Sequence, residues 1–134
     1  YFLFNHVNYG FHQALGFCVP GYFFRVEGYS GAGEDTASER EMFRKYMIDT
    51  LSFWLSEYKL CGFRFDLMGL HDVKTMNEID KALHKIKKDV LIYGEGWDMY
   101  RAGKMESACQ KNASKMPGIG HFNDAVRCAI KGPV

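Results

Sequence analysis

The chain has almost no net charge. Its 17 lysines and arginines face 16 aspartates and glutamates, which leaves +1 with histidine neutral. A nucleic-acid binder carries a basic excess or stripe, so that class is set aside, and a membrane-surface protein fits no better. Long hydrophobic runs are also missing; none approaches the ~20 apolar residues of a spanning helix. Cysteines are few. Cys18, Cys61, Cys109 and Cys128 form no Cys-x-x-Cys pair, which argues against a zinc or redox motif. They read as small, mostly buried thiols, with two disulfides left open. There is no internal repeat and no low-complexity tract. An initiator methionine and a leader pattern are absent as well, and the first four residues, Tyr1–Phe4, are already apolar. The expectation is a segment of a longer protein, whose compartment stays unknown. What remains is a chain of 134 residues, 47% apolar and 16% aromatic, rich enough to pack one core rather than stay disordered.

Tyr1–Phe4 reads as the end of a buried strand, with Asn5 and His6 at its C-terminal edge. Residues 8–35 lack periodicity and read as a long loop. Gly28–Gly33 lacks the Gly-Lys-Ser/Thr ending of a phosphate-binding loop. A first helix is predicted from near Thr36, where Thr36-x-x-Glu39 and Ser38-x-x-Glu41 both fit a capping box. Phe43, Met47, Leu51, Trp54 and Tyr58 form its core stripe, and Arg44, Lys45, Asp49 and Glu57 its solvated face. A strand is predicted over about Leu60–Phe65. A second helix follows, with Thr75-x-x-Glu78 as its capping box and Met76, Ile79, Leu83 and Ile86 as its stripe. Val90–Tyr93 is the next strand. Met116–Gly120 reads as a turn cluster, and Asn123 or Asp124 caps a short helix stopped by Gly132-Pro133.

Two carboxylates each close a short apolar run. Asp66 ends Gly62-Phe63-Arg64-Phe65-Asp66, and Glu95 follows Val90-Leu91-Ile92-Tyr93-Gly94. They lie 29 positions apart, about one strand–helix–strand unit. Right-handed crossovers bring both strand ends to one sheet edge. A facing carboxylate pair is what retaining glycoside hydrolysis uses, one as nucleophile and one as acid/base. Alternation puts Gly62, Arg64 and Asp66 on one face and Phe63 and Phe65 on the other. Arg64 there either keeps a catalytic carboxylate ionised or forms an ion pair that holds the sheet. Trp97 is either a stacking platform for a sugar ring or a loop anchor.

Gly-Phe-Arg-Phe-Asp-Leu-Met-Gly at 62–69 resembles the nucleophile segment of glycoside hydrolase family 13, the α-amylase superfamily. Tyr-Gly-Glu-Gly-Trp at 93–97 resembles its acid/base segment. Residues 35–40 (Asp-Thr-Ala-Ser-Glu-Arg), 66–72 and 122–124 (Phe-Asn-Asp) look most like the type I pullulanase, starch-debranching branch of that family. The resemblance implies an α/β fold, part of a (β/α)₈ TIM barrel with the active site at the C-terminal strand ends. Residues 1–134 would supply the end of the third strand through the fifth strand and the following loop, not a complete barrel.

By the same resemblance Asp66 would be the nucleophile, Glu95 the acid/base and Arg64 the residue that orients Asp66. His6, Trp97, Met68 and Asn5 would bind substrate. That substrate would be an α-glucan polysaccharide, cut at α-1,6 bonds, and the rest of the barrel would be needed. No organic cofactor and no metal site are implied; calcium is left open because the sequence shows no site for it. Tyr1, Cys61 and Glu34 depart from the family pattern, and its later His-Asp motif is not in the chain. The expectation is that the segment alone is inactive. An α-1,4-acting amylase or a glycogen-debranching enzyme is the alternative within the chemistry. A non-catalytic glucan-binding or decayed homologue is the alternative outside it.

Overall fold

The computed structural model describes residues 17–31 and 35–132. The expected strand at Tyr1–Phe4, together with Asn5 and His6, lies outside the described residues. The element order is α1 (Glu41–Glu57), β1 (Gly62–Phe65), α2 (Val73–Ile86), β2 (Leu91–Gly94), β3 (Gly120–His121) and α3 (Asp124–Lys131). Short 3-10 helices lie at Met68–Leu70 and Gln110–Lys115. The strands form one parallel sheet in the order β1-β2-β3.

The alternation read from the sequence sets the sheet's two faces. Phe63 and Phe65 are buried and join Ile92 in the core, packed against Phe43, Met47 and Leu51 of α1 and Met76, Ile79 and Leu83 of α2. Burying each such side chain contributes about 1.5–3 kcal/mol. Arg64 and Asp66 are left on the other face, half-buried. The helical stripes end sooner than expected: Tyr58 and Ile86 are exposed, and Leu55 takes a core position instead.

The start of α1 corrects the capping-box reading. Thr36 forms an antiparallel bridge with Phe24, and Arg40 occupies the N-cap with no side-chain capping bond. Ser38 is used elsewhere: its Oγ donates to Asp72 Oδ2 at 2.8 Å and accepts from Asp72 N at 3.1 Å. Asp72, not Thr75, caps α2, its Oδ1 accepting from Thr75 N at 2.8 Å. Thr75 Oγ1 donates to Ser38 O and accepts from Arg44 Nε. Arg44 is therefore buried between the two helices, not on the solvated face where its helical position suggested. Asn123 caps α3 as expected, accepting from Val126 N at 3.0 Å.

The turn cluster at Met116–Gly120 runs directly into β3, a strand of two residues too short to show alternation. All four cysteines are free, and only Cys109 is buried, which corrects the expectation of mostly buried thiols. Among the described residues no helix is long and apolar enough to cross a membrane.

Candidate active site

The site begins at the sheet's C-terminal edge. Phe65 of β1 is in register with Gly94 of β2, and Gly94 with His121 of β3. The next residue along each strand is Asp66, Glu95 and Phe122, so these three stand side by side. The ladder continues beyond the strands: Glu95 N donates to Phe65 O at 3.0 Å, and Phe122 N to Gly94 O at 3.2 Å.

One side chain ties the two carboxylates together. Arg64 Nη1 lies 3.3 Å from Asp66 Oδ1, and its Nη2 lies 2.6 Å from Glu95 Oε1. All three side chains are about one-fifth exposed, so the ion group is reachable yet partly screened from water. Both carboxylates and the guanidinium thus stand together at the ends of adjacent parallel strands. The second Glu95 oxygen accepts from Leu67 N at 3.1 Å.

Leu67 is held in the left-handed region at φ 46°, ψ 42°. A non-glycine residue there costs roughly 1–2 kcal/mol, and such strain gathers at functional turns. The turn swings the chain away directly after Asp66 and aims the Leu67 N–H at Glu95.

Close backbone packing fixes the loop after Glu95. Gly69 N donates to Glu95 O at 3.0 Å. A Cβ at Gly69 would stand 1.8 Å from the Trp97 carbonyl oxygen, so only glycine fits. A Cβ at Gly96 would come within 2.7 Å of His121 Nδ1 and 2.9 Å of Gln110 N. Gly94, on the other side of Glu95, is as tightly packed: a Cβ there would stand 2.5 Å from Phe65 O and 2.9 Å from Met68.

Met68 is completely buried, its side chain against Gly94, and so supports the strand ends from beneath rather than presenting a surface to a ligand. Trp97 is half-buried, with the Arg127 guanidinium 5.2 Å over its ring. That pair joins the loop after β2 to α3. Arg127 in turn pairs with Asp124, whose other oxygen accepts from Gln110 Nε2 at 2.7 Å. His6 and Asn5 fall outside the described residues.

Three contributors were given no place at the site by the sequence. Leu67 acts through its backbone, and no side-chain pattern signals a left-handed turn there. Arg127 and Phe122 meet the site only because β3 pairs with β2. The half-buried His121 also lies at this edge, its two ring nitrogens out of solvent and without hydrogen-bond partners, and desolvation holds its pKa below the ordinary histidine value.

The polar residues of the loop before α1 serve a different purpose. Asp35 accepts from Tyr29 N at 2.7 Å and Ser30 N at 3.1 Å, which folds the loop before α1. A cavity of about 400 Å³ nearby is framed by Arg25, Tyr29, Glu39 and Tyr100, and neither carboxylate of the pair lines it. Among the described residues no cluster of three or more histidines, cysteines and carboxylates could hold a metal ion.

No protein-family model matches the chain. Among curated proteins it is 43% identical over 137 aligned residues to a pullulanase of Bacillus subtilis (strain 168), which covers 97% of this chain and 19% of that protein. It is 38% identical over 120 residues to a pullulanase of Klebsiella aerogenes, covering 85% of this chain and 11% of that protein. Among solved structures it matches pullulanase type I from Bacillus subtilis str. 168 complexed with maltose, with a TM-score of 0.90 and 42% identity over 98% of this chain and 20% of that one. A pullulanase from Paenibacillus barengoltzii in complex with maltohexaose and α-cyclodextrin gives a TM-score of 0.88 at 43% identity, over 98% of this chain and 21% of that one. The chain spans about one-fifth or less of the length of these relatives.

Proposed function

This chain is a relative of the pullulanases across the segment that it spans, and on that premise we propose that it forms part of a debranching active site that hydrolyses α-1,6-glucosidic bonds in branched α-glucans. The observation that carries the proposal is the Arg64 bridge, which gathers Asp66 and Glu95 at the ends of adjacent parallel strands. The segment is an arc of a (β/α)₈ barrel. In that arc β1 is the fourth strand, β2 the fifth and β3 the sixth, with α1 and α2 as the third and fourth helices. The remaining strands complete the wall, and the 134 residues alone are inactive.

In this reading Asp66 attacks the anomeric carbon as Glu95 protonates the departing glycosidic oxygen, leaving a covalent glycosyl–Asp66 ester. Glu95 then takes a proton from water, which attacks the same carbon and releases Asp66. Two inversions give net retention. Arg64 orients Asp66 for attack and holds Glu95 beside it. His6 and Asn5 contact the sugar at the cleavage point, and Trp97 borders it. No cofactor takes part.

The test uses the complete protein that carries this segment, with pullulan as substrate. Asp66→Asn and Glu95→Gln each abolish turnover while the circular dichroism spectrum is unchanged, and maltotriose with an α-anomeric end is the first product. Near-normal turnover in either variant defeats the role assignment. Cleavage of amylose without pullulan moves the specificity to α-1,4 bonds. Turnover by the isolated chain that disappears in Asp66→Asn overturns its inactivity.

A further inference from the structure

We propose that Phe122 is a positioning residue, whose ring holds the Arg64 guanidinium in the plane that reaches both Asp66 and Glu95. The proposal rests on the reading of those carboxylates as the reacting pair.

The register of the sheet places the parts. Arg64 lies opposite Tyr93, and Tyr93 opposite Gly120. One residue past the strand ends, Phe122 follows Asp66 and Glu95 across the same edge. With no side chain at Gly120, the Tyr93 ring stands beside Phe122, centroids 6.0 Å apart. The Arg64 Cζ lies 5.3 Å over the Phe122 ring.

A guanidinium has a hydrogen-bonding rim and an apolar face, and the face stacks on aromatic rings. Here the rim is spent on the carboxylates, Nη1 toward Asp66 and Nη2 toward Glu95. Contacts along the rim set how far the guanidinium reaches, and its face is left to be set by what stacks on it. A ring against the face holds its plane. The ring itself is fixed from both sides. Phe122 N donates to Gly94 O at 3.2 Å, and the next residue, Asn123, is the cap of α3.

Core packing does not account for this placement. Phe122 is 37% exposed and is no member of the hydrophobic core. Its effect is read through Arg64, and the melting temperature of each variant separates that effect from any loss of packing.

The experiment compares Phe122→Ala, Phe122→Leu and Phe122→Tyr in the complete protein on pullulan, alone and combined with Arg64→Lys. Phe122→Ala is expected to lower kcat about tenfold with KM within about twofold, the size of a lost, partly desolvated cation–π contact. Phe122→Tyr, which keeps the ring, restores kcat to within about twofold; Phe122→Leu, which keeps only bulk, does not. In the Arg64→Lys background Phe122→Ala costs nothing further, because the group it acts through is gone. Wild-type kcat in Phe122→Ala, equal rescue by Leu and Tyr, or losses that multiply in the double variant would each overturn the proposal. Asp66→Asn runs alongside. If Asp66→Asn is dead and Phe122→Ala unimpaired, only the positioning role falls. If Asp66→Asn is fully active, the catalytic reading falls first and takes the positioning role with it.

Discussion

Arg64 reaches across from β1 to Glu95 on the neighbouring strand, Nη2 to Oε1 at 2.6 Å, while its other arm faces Asp66 on its own strand. A lysine has one charged nitrogen and cannot serve both carboxylates in this planar arrangement. Arg64→Lys and Arg64→Ala should each lower kcat/KM on pullulan by roughly 100- to 1,000-fold, the usual scale for loss of a preorganised donor at a reacting centre. Steady-state kinetics of the complete protein checks this. Lysine at wild-type rate would show that bridging is dispensable.

The left-handed backbone of Leu67 separates two kinds of substitution. Leu67→Gly relieves the strained conformation and keeps the N–H that donates to Glu95. Its thermal stability should match or exceed that of the parent, by up to about 1 kcal/mol. Leu67→Pro demands φ near −65° and removes the donor, so it should unfold the turn and abolish activity. Thermal melts of both variants decide the point, and a destabilised glycine variant would contradict the strain.

Asp72 predicts a loss of stability in acid. Burial pushes its carboxyl up, but hydrogen bonds from Thr75 and Ser38 and the Arg44 charge outweigh this and hold it below the ordinary carboxylate value. A depressed folded value gives stability that is complete above the unfolded value, ~3.9, and fades as pH falls through the folded one. Asp72→Asn should therefore cost about 1–2 kcal/mol near pH 7, and the gap to the parent should shrink as the pH falls below the unfolded value. Melting temperatures over that range measure it; a gap that persists undiminished at pH 2 would exclude the charge as its source.

His71 acts in a different window. It is fully buried beside Phe65, and desolvation, assisted by the Arg25 charge and opposed by Asp72, pushes its pKa down to about 3. An unfolded chain takes up a proton near the ordinary value of ~6.5, whereas the folded chain does not until about pH 3. Stability should fall between those limits as pH drops, by up to ~1.4 kcal/mol per pH unit from this group. His71→Gln should flatten the profile between about pH 6 and 4, while Asp72→Asn changes it only below that. Parallel profiles for parent and His71→Gln would mean that the imidazole takes up protons in the folded state.

The sequence was most legible where structure is local. The two-residue alternation of Phe63 and Phe65 set the face on which Arg64 and Asp66 stand, and the stripe Met76, Ile79 and Leu83 set the buried side of α2. Asn123 announced the cap of α3 because its partner is three residues away. Legibility failed where a partner lies far along the chain. Ser38 and Thr75 both fit capping boxes, yet Ser38 bonds Asp72 across 34 residues and Thr75 bonds Arg44 across 31. Arg44 sits at a helical position that reads as solvated, and only the approach of α2 buries it. β3 has two residues and no pattern of its own, so neither Phe122 nor His121 could be placed at the site before the sheet's register was known.

The bond between Ser38 and Asp72 has a consequence for the order in which the protein is made. The polar groups at the entry to α1 and the cap of α2 are satisfied by each other, and neither set is complete alone. On a ribosome adding 5–20 residues per second, roughly 2–7 s separate the synthesis of these two positions. Through that interval the emerging helix exposes an apolar face and an arginine that lacks its Thr75 and Asp72 partners. This is the stage at which a nascent-chain chaperone would have something to hold, and slower codons before residue 72 would prolong it.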